Sequence, residues 1–199
     1  MDVKRPGIAI LMTVIISVVC GILLQKNPAS FPTPLKKSHV PEEYIDLYRE
    51  AAEEYGMQWE LLAAVHRVET KFSTMNTLES PKGAIGHYQF MPLTWIGWSY
   101  GGSRLGELDK DDLIDITDPK LIDKYGGYGK DGNGDGKADP YNLTDAAYTA
   151  ASYLSANGAS EGRIKSALFA YNQSDEYVDE VLSFYNEYRK NATVVKIEQ

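Results

Sequence analysis

The 199-residue chain has room for one ordinary domain plus appendages, and its 43% hydrophobic content is enough for a core. Its net charge of -8 is unevenly placed: residues 1–40 carry five Lys/Arg against one acid, which leaves 15 basic and 27 acidic residues beyond them. So acidic a domain repels phosphates and anionic lipid, which excludes electrostatic binding to nucleic acid. A polymer held here is held by shape, stacking and hydrogen bonds.

In chain order, residues 1–6 form a short N-terminus containing Lys4 and Arg5. Gly7 to Leu24 is an uncharged run of 18 residues, about the length a transmembrane helix needs. The positive-inside tendency puts residues 1–6 in the cytoplasm and everything after residue 25 outside. A cleaved signal peptide is the alternative, but its apolar region is usually shorter and no small-x-small site follows. The one cysteine, Cys20, lies inside this run as a small apolar residue, so the exported domain folds without disulfides. Residues 25–41 are rich in Pro, Ser, Lys and Asn and read as an extended linker. The expected arrangement is a single-pass membrane protein with an extracytoplasmic domain at 42–190 and a tail at 191–199.

Within that domain the apolar period is helical. Tyr44, Leu47, Tyr48, Ala51 and Tyr55 mark a first helix, which Gly56 ends. A second runs from about Gln58 to Lys71, with Leu61, Leu62, Val65 and Val68 on adjoining stripes. A third follows Asp145 and closes at Asn157-Gly158. Two more span about Glu161 to Ala170 and Asp175 to Lys190, the last with an aromatic face of Tyr177, Phe184, Tyr185 and Tyr188 around Val181. Strand patterns are nearly absent. The expected fold is mainly α, with long functional loops between residues 72 and 143.

Glu69 continues the apolar stripe of the second helix, four residues after Val65 and seven after Leu62. A carboxyl on that side is partly desolvated, which raises its pKa and suits it to protonating a leaving oxygen. Helix-end glutamates are more often solvated or paired, so the neighbouring segments matter. In Ser80-Pro81-Lys82-Gly83-Ala84-Ile85-Gly86-His87-Tyr88-Gln89-Phe90-Met91-Pro92, two glycines three apart let the backbone approach a neighbour, and Gln89 offers a donor and an acceptor. Phe90, Met91 and Trp95 supply an apolar wall. Tyr171-Asn172 falls at a corner between two helices, where a phenol and an amide can face a cleft, although Asn there is also an ordinary cap. His66 reads as a satisfied, partly buried side chain; no second histidine stands at zinc-ligand spacing.

The acidic stretch Asp131-Gly132-Asn133-Gly134-Asp135-Gly136-Lys137-Ala138-Asp139 begins as an EF-hand loop does, D-x-N-x-D-G. Position 12 is Asn142, not Glu, so the missing carboxylate would come from Asp145. The expected ligands of a structural Ca2+ are Asp131, Asn133, Asp135, the Lys137 carbonyl and Asp145. A solvated Asp/Gly turn capped by Asn142 is the alternative.

Taken in order, Glu69-Thr70, the Gly83 to Pro92 segment and Tyr171-Asn172 resemble the lytic transglycosylases of the soluble and membrane-bound B types, over roughly residues 44 to 185. The acidic loop before Asp145 is similar to the B-type branch. The resemblance implies a goose-lysozyme-like α fold in a bacterial cell-wall enzyme that cleaves the β-1,4 bond between N-acetylmuramic acid and N-acetylglucosamine. It implies 1,6-anhydro products, with Glu69 acting as acid and then as base and no second carboxylate needed. It also implies that Ser80 and Gln89 bind the muramoyl side, that Tyr153 and Tyr171 shape the cleft and that Asn172 holds its floor. His87 departs from the family, which carries a Tyr or a small residue there. The alternatives are a hydrolytic muramidase on the same fold, using Glu79, Asp109 or Asp112 as second carboxylate, and a non-catalytic calcium-stabilised wall-binding module.

Overall fold

Seven α-helices and one pair of short strands build the described part of the protein: β1 (His39–Pro41), α1 (Ile45–Glu54), α2 (Trp59–Thr70), α3 (Pro92–Ile96), α4 (Pro119–Tyr125), α5 (Leu143–Ala156), α6 (Ile164–Tyr171), α7 (Asp175–Asn191) and β2 (Thr193–Val195). The structure, a computed structural model, describes residues 35–108 and 113–197. From Lys36 onward they belong to one compact unit.

The central element is α2. Leu61, Leu62, Ala63, Ala64, Val65 and His66 are buried in succession, so this helix has almost no solvent face along its middle. It packs on α7, α1 and α5. Helix α1 lays Ile45, Tyr48, Ala51 and Ala52 against it and ends at Tyr55-Gly56, where Gly56 takes a positive φ. Asn142 caps α5, its side chain accepting from Thr144 N and Asp145 N. Ser174 caps α7 through Tyr177 N, and α7 then buries Tyr177, Val178, Val181, Tyr185 and Tyr188 as a stripe of period 3.6. The helical reading of the chain therefore holds at the level of a mainly α fold.

Three expectations change. The stretch 72–143 is not only loop: it contains α3 and α4, each started by a Pro, with Asp118 capping α4 through Lys120 N. Helices of five and seven residues are too short to display a period, so only their start signals were visible. The ends expected as linker and tail pair as parallel strands, His39 opposite Thr193 and Pro41 opposite Val195. Arg67 Nη1 donates to the carbonyls of Lys36 and His39 and holds this pair to α2. Finally, the single-pass membrane placement is corrected. The expected span, residues 7–24, lies outside the described residues, and among these no helix is long and apolar enough to cross a membrane. The longest, α7, carries charges along its exposed face.

The glycine pair of the 80–92 segment does what its spacing implied at one position. Gly86 has φ +76, and a Cβ there would collide with the carbonyl of Pro140, beside the bond from His87 N to that oxygen. Gly86→Ala is expected to destabilise the fold by at least ~1–3 kcal/mol, since backbone blocks the added carbon and the left-handed φ adds strain. Chemical denaturation checks this; an unchanged midpoint would contradict the close approach.

Candidate active site

Glu69 sits in the last turn of α2, immediately before the helix ends in the left-handed residue Lys71. The residue retains some solvent exposure, as a proton donor needs, while its carboxyl is desolvated. Tyr177 Oη donates to Glu69 Oε1 at 2.6 Å. Burial raises the carboxyl from the usual 4.5 to about 8; the Tyr177 bond opposes the rise and the charge of Glu180, one turn further along α7, adds to it. At neutral pH Glu69 is mainly a neutral acid with its hydroxyl available.

Beside it the aromatic side chains form a continuous wall. The rings of Tyr171 and Tyr177 lie parallel, 3° apart, with centroids at 6.3 Å. Tyr171 meets Tyr153 edge-on at 5.3 Å and Phe90 at 5.3 Å, and Tyr153 meets Tyr128 at 4.6 Å. Tyr171 Oη donates to the Tyr88 carbonyl and Tyr153 Oη to the Ala170 carbonyl, which fixes both phenols. Burial first, and then the nearby Glu69 charge, push the Tyr171 phenol well above its ordinary range. Tyr177 is raised for the same two reasons, so both phenols stay neutral donors.

Of the residues singled out from the sequence, Glu69, Tyr153 and Tyr171 are thus brought together by ring contacts and charge. Gln89 plays a different part: it adopts φ +50, and its Nε2 donates to the carbonyls of Leu78 and Gly86, both at 2.8 Å, so its amide closes the loop. Only its Oε1 is left to face a ligand. Ser80 Oγ accepts from Ala84 N and closes a turn. Asn172 is exposed, in extended conformation at the end of α6. Trp95 is core, donating to the Ala138 carbonyl, whereas Trp98 is 53% exposed. Of the proposed second carboxylates, Glu79 accepts from Tyr141 Oη and Asp109 and Asp112 lie outside the described residues.

Tyr177 and Glu180 were missed as partners of the acid. Tyr177 was legible only as part of an aromatic face, because the closeness of α2 and α7 is tertiary. His66 is fully buried with both ring nitrogens bonded. His87 bridges Ser73 and the Tyr141 carbonyl.

The 131–145 loop is held by its own acids. Asp145, fully buried, accepts from Gly132 N and Asn133 N through Oδ1 and from Asp139 N through Oδ2. Asp131 accepts from Asp135 N and Gly136 N, Asn133 Oδ1 from Asp135 N, and Asp135 Oδ1 from Lys137 N. These oxygens converge on backbone N–H groups. Among the described residues, no group of three or more His, Cys, Asp or Glu side chains is assembled to hold a metal.

No family model matches the chain, and no solved structure does. A curated relative, an L-Ala–D-Glu endopeptidase of Bacillus subtilis (strain 168), is 29% identical over 174 residues, which cover 87% of this chain and 49% of the relative. The chain therefore spans about half the length of the relative it matches. That finding overturns the expected β-1,4 glycan cleavage with 1,6-anhydro products, and with it the muramidase alternative: the relative is an enzyme named for a peptide bond. The motifs behind the glycan reading describe how a helical fold holds a buried acid. They do not specify which bond that acid protonates.

The titration of Glu69 has a measurable consequence for stability. The unfolded chain releases this proton near 4.5 and the folded protein near 8, so the folded state holds the extra proton between those values. Its contribution is fully present below about 4.5 and is lost as pH rises to about 8. Glu69→Gln, which cannot ionise, is expected to gain stability relative to the unmodified chain across that window, read as a melting-temperature difference that grows with pH. A pH-independent difference would contradict the raised pKa.

Proposed function

We propose that this chain is an enzyme that breaks a bond in peptidoglycan, with Glu69 as the group that gives and then recovers the proton. The observation that carries the reading is the desolvated Glu69 carboxyl, raised to about 8 and oriented by Tyr177, beside a wall of tyrosines. The substrate class is supported by the relative, since a peptide joining L-Ala to D-Glu is chemistry of the bacterial wall stem. The L-Ala–D-Glu bond is accordingly the first to assay for this chain. Tyr153, Tyr171 and the Gln89 Oε1 are the proposed contacts to the polymer, with Ser80 and Asn172 at the margins. Kinship with the lytic transglycosylases is proposed at the level of a lysozyme-like helical arrangement and motif order, not of the glycan reaction. Calcium in the 131–145 loop is likewise a proposal, supported by the D-x-N-x-D-G order alone; a rise in melting temperature on adding calcium supports it, and no rise counts against it.

In this scheme the neutral Glu69 hydroxyl protonates the leaving atom as the bond breaks, and the resulting carboxylate takes a proton from the incoming nucleophile. Neutral phenols at Tyr171 and Tyr177 keep the charge local. The acid form is required, so kcat/KM is expected to fall above pH 8. Tyr177→Phe removes the bond that lowers the Glu69 pKa and is expected to shift that limb to higher pH; a limb that stays put would contradict the pairing.

The direct test digests purified peptidoglycan with the unmodified chain and with Glu69→Gln, weighing the fragments released. The expected result is fragment release that drops by ~10²-fold or more in the variant. Fragments beginning with D-Glu identify the stem bond. Equal release by both proteins, or none by the unmodified chain, would sink the proposal.

A further inference from the structure

The last turn of α2 leads into a second polar chain that the chemistry of Glu69 does not use. Tyr48 Oη lies 2.6 Å from His66 Nδ1, His66 Nε2 2.7 Å from Ser73 Oγ, Ser73 Oγ 2.6 Å from His87 Nδ1, and His87 Nε2 2.9 Å from the Tyr141 carbonyl oxygen. The carbonyl can only accept, and this fixes the direction of every bond. His87 Nε2–H donates to Tyr141, so the Nδ1 of a neutral His87 accepts from the Ser73 hydroxyl. Ser73 Oγ in turn accepts from His66 Nε2–H, and His66 Nδ1 accepts from Tyr48.

The serine at the middle of this chain is unusually placed. It is the third of three consecutive non-glycine residues with positive φ, Lys71, Phe72 and Ser73 at 53, 61 and 61. Such strain persists only where the surroundings over-determine it, and it gathers at functional sites. Here the surroundings are visible: Thr70 Oγ1 accepts from Ser73 N and donates to the His87 carbonyl, locking the serine and the histidine to the same helix end. Ser73 and His87 both remain partly exposed, while His66 is sealed beneath them.

We propose that Ser73 is the nucleophile of a second active site on acyl groups, ester or amide carbonyls, with His87 as its general base and the Tyr141 carbonyl as the group that orients that base. The arrangement supplies nucleophile, base and orienter in hydrogen-bond contact. His66 Nε2–H, aimed at the same Oγ, stabilises the oxygen as it loses its proton. Burial lowers the pKa of both imidazoles, so the neutral form that a base requires is the resting one. The N–H of Thr74, next in the chain, has no acceptor among the described residues and follows the nucleophile where an oxyanion donor stands.

The step balances without a further reagent. Ser73 Oγ bonds to the carbonyl carbon as its proton passes to His87 Nδ1. Collapse breaks the bond to the leaving amine or alcohol, which takes the proton from His87. Water then attacks the acyl-serine, gives a proton to His87 and releases the carboxylic acid, and the proton returns to Ser73.

The test is labelling of the full chain with an alkyl fluorophosphonate, followed by intact mass and peptide mapping. The expected result is one adduct, on Ser73, absent from Ser73→Ala and formed about 10²-fold or more slowly in His87→Gln, whose amide can still donate to the Tyr141 carbonyl. If Ser73→Ala does not fold, the peptide map of the unmodified chain still assigns the site. A folded chain without an adduct on Ser73, an adduct on another serine instead, or equal rates in His87→Gln would overturn the proposal.

Discussion

A helix buried on nearly every side must find partners for the polar side chains of its last turn, and that requirement organises this protein. Four such residues stand together on α2: His66, Arg67, Glu69 and Thr70. An unpartnered polar group there would cost about 1–3 kcal/mol, more if charged, so each draws another segment toward it. Arg67 recruits the carbonyls of Lys36 and His39 and, with its guanidinium 4.6 Å from the Phe184 ring centre, reaches α7 as well. Thr70 recruits His87 through its carbonyl, His66 recruits Tyr48 and Ser73, and Glu69 recruits Tyr177. The segment leading into β1, the glycine loop and the last helix are all tied to one helical turn.

The same requirement produces the chemistry. Among the described residues Glu69 has one phenol as partner and no cation, so desolvation wins and the carboxyl stays protonated near neutrality. A salt bridge in place of Tyr177 would satisfy the group equally well and would leave an inert carboxylate. Similarly, burial lowers the pKa of His66 and His87 although the Tyr141 carbonyl opposes the shift at His87, which keeps both neutral and leaves a serine between them.

Much of this was legible in the sequence, for identifiable reasons. The long helices have several turns over which a period can show, and Glu69 continues the apolar stripe of one of them. Gly83 and Gly86 announced a close backbone approach, and Gly86 makes it against Pro140. What was hidden depends on distance in sequence: Tyr177 meets Glu69 across 108 residues, and the strand pair is three residues long at each end. Gln89 was read by its donor and acceptor, and its donor holds its own loop while Oε1 stays outside those bonds; Ser80 Oγ accepts within its own turn. The acids of the 131–145 loop, read as ion ligands, also bond N–H groups of their own loop, which the motif did not announce. The bond that is cut was least legible of all, since a buried acid serves several leaving groups.

Folding keeps Glu69 protonated at neutral pH. Carbon-13 NMR of the side-chain carboxyl of Glu69, followed from pH 3 to pH 10 and assigned by comparison with Glu69→Gln, measures it directly. The expected midpoint is about 8. A midpoint near 4.5, the value of an ordinary solvated glutamate, would contradict it.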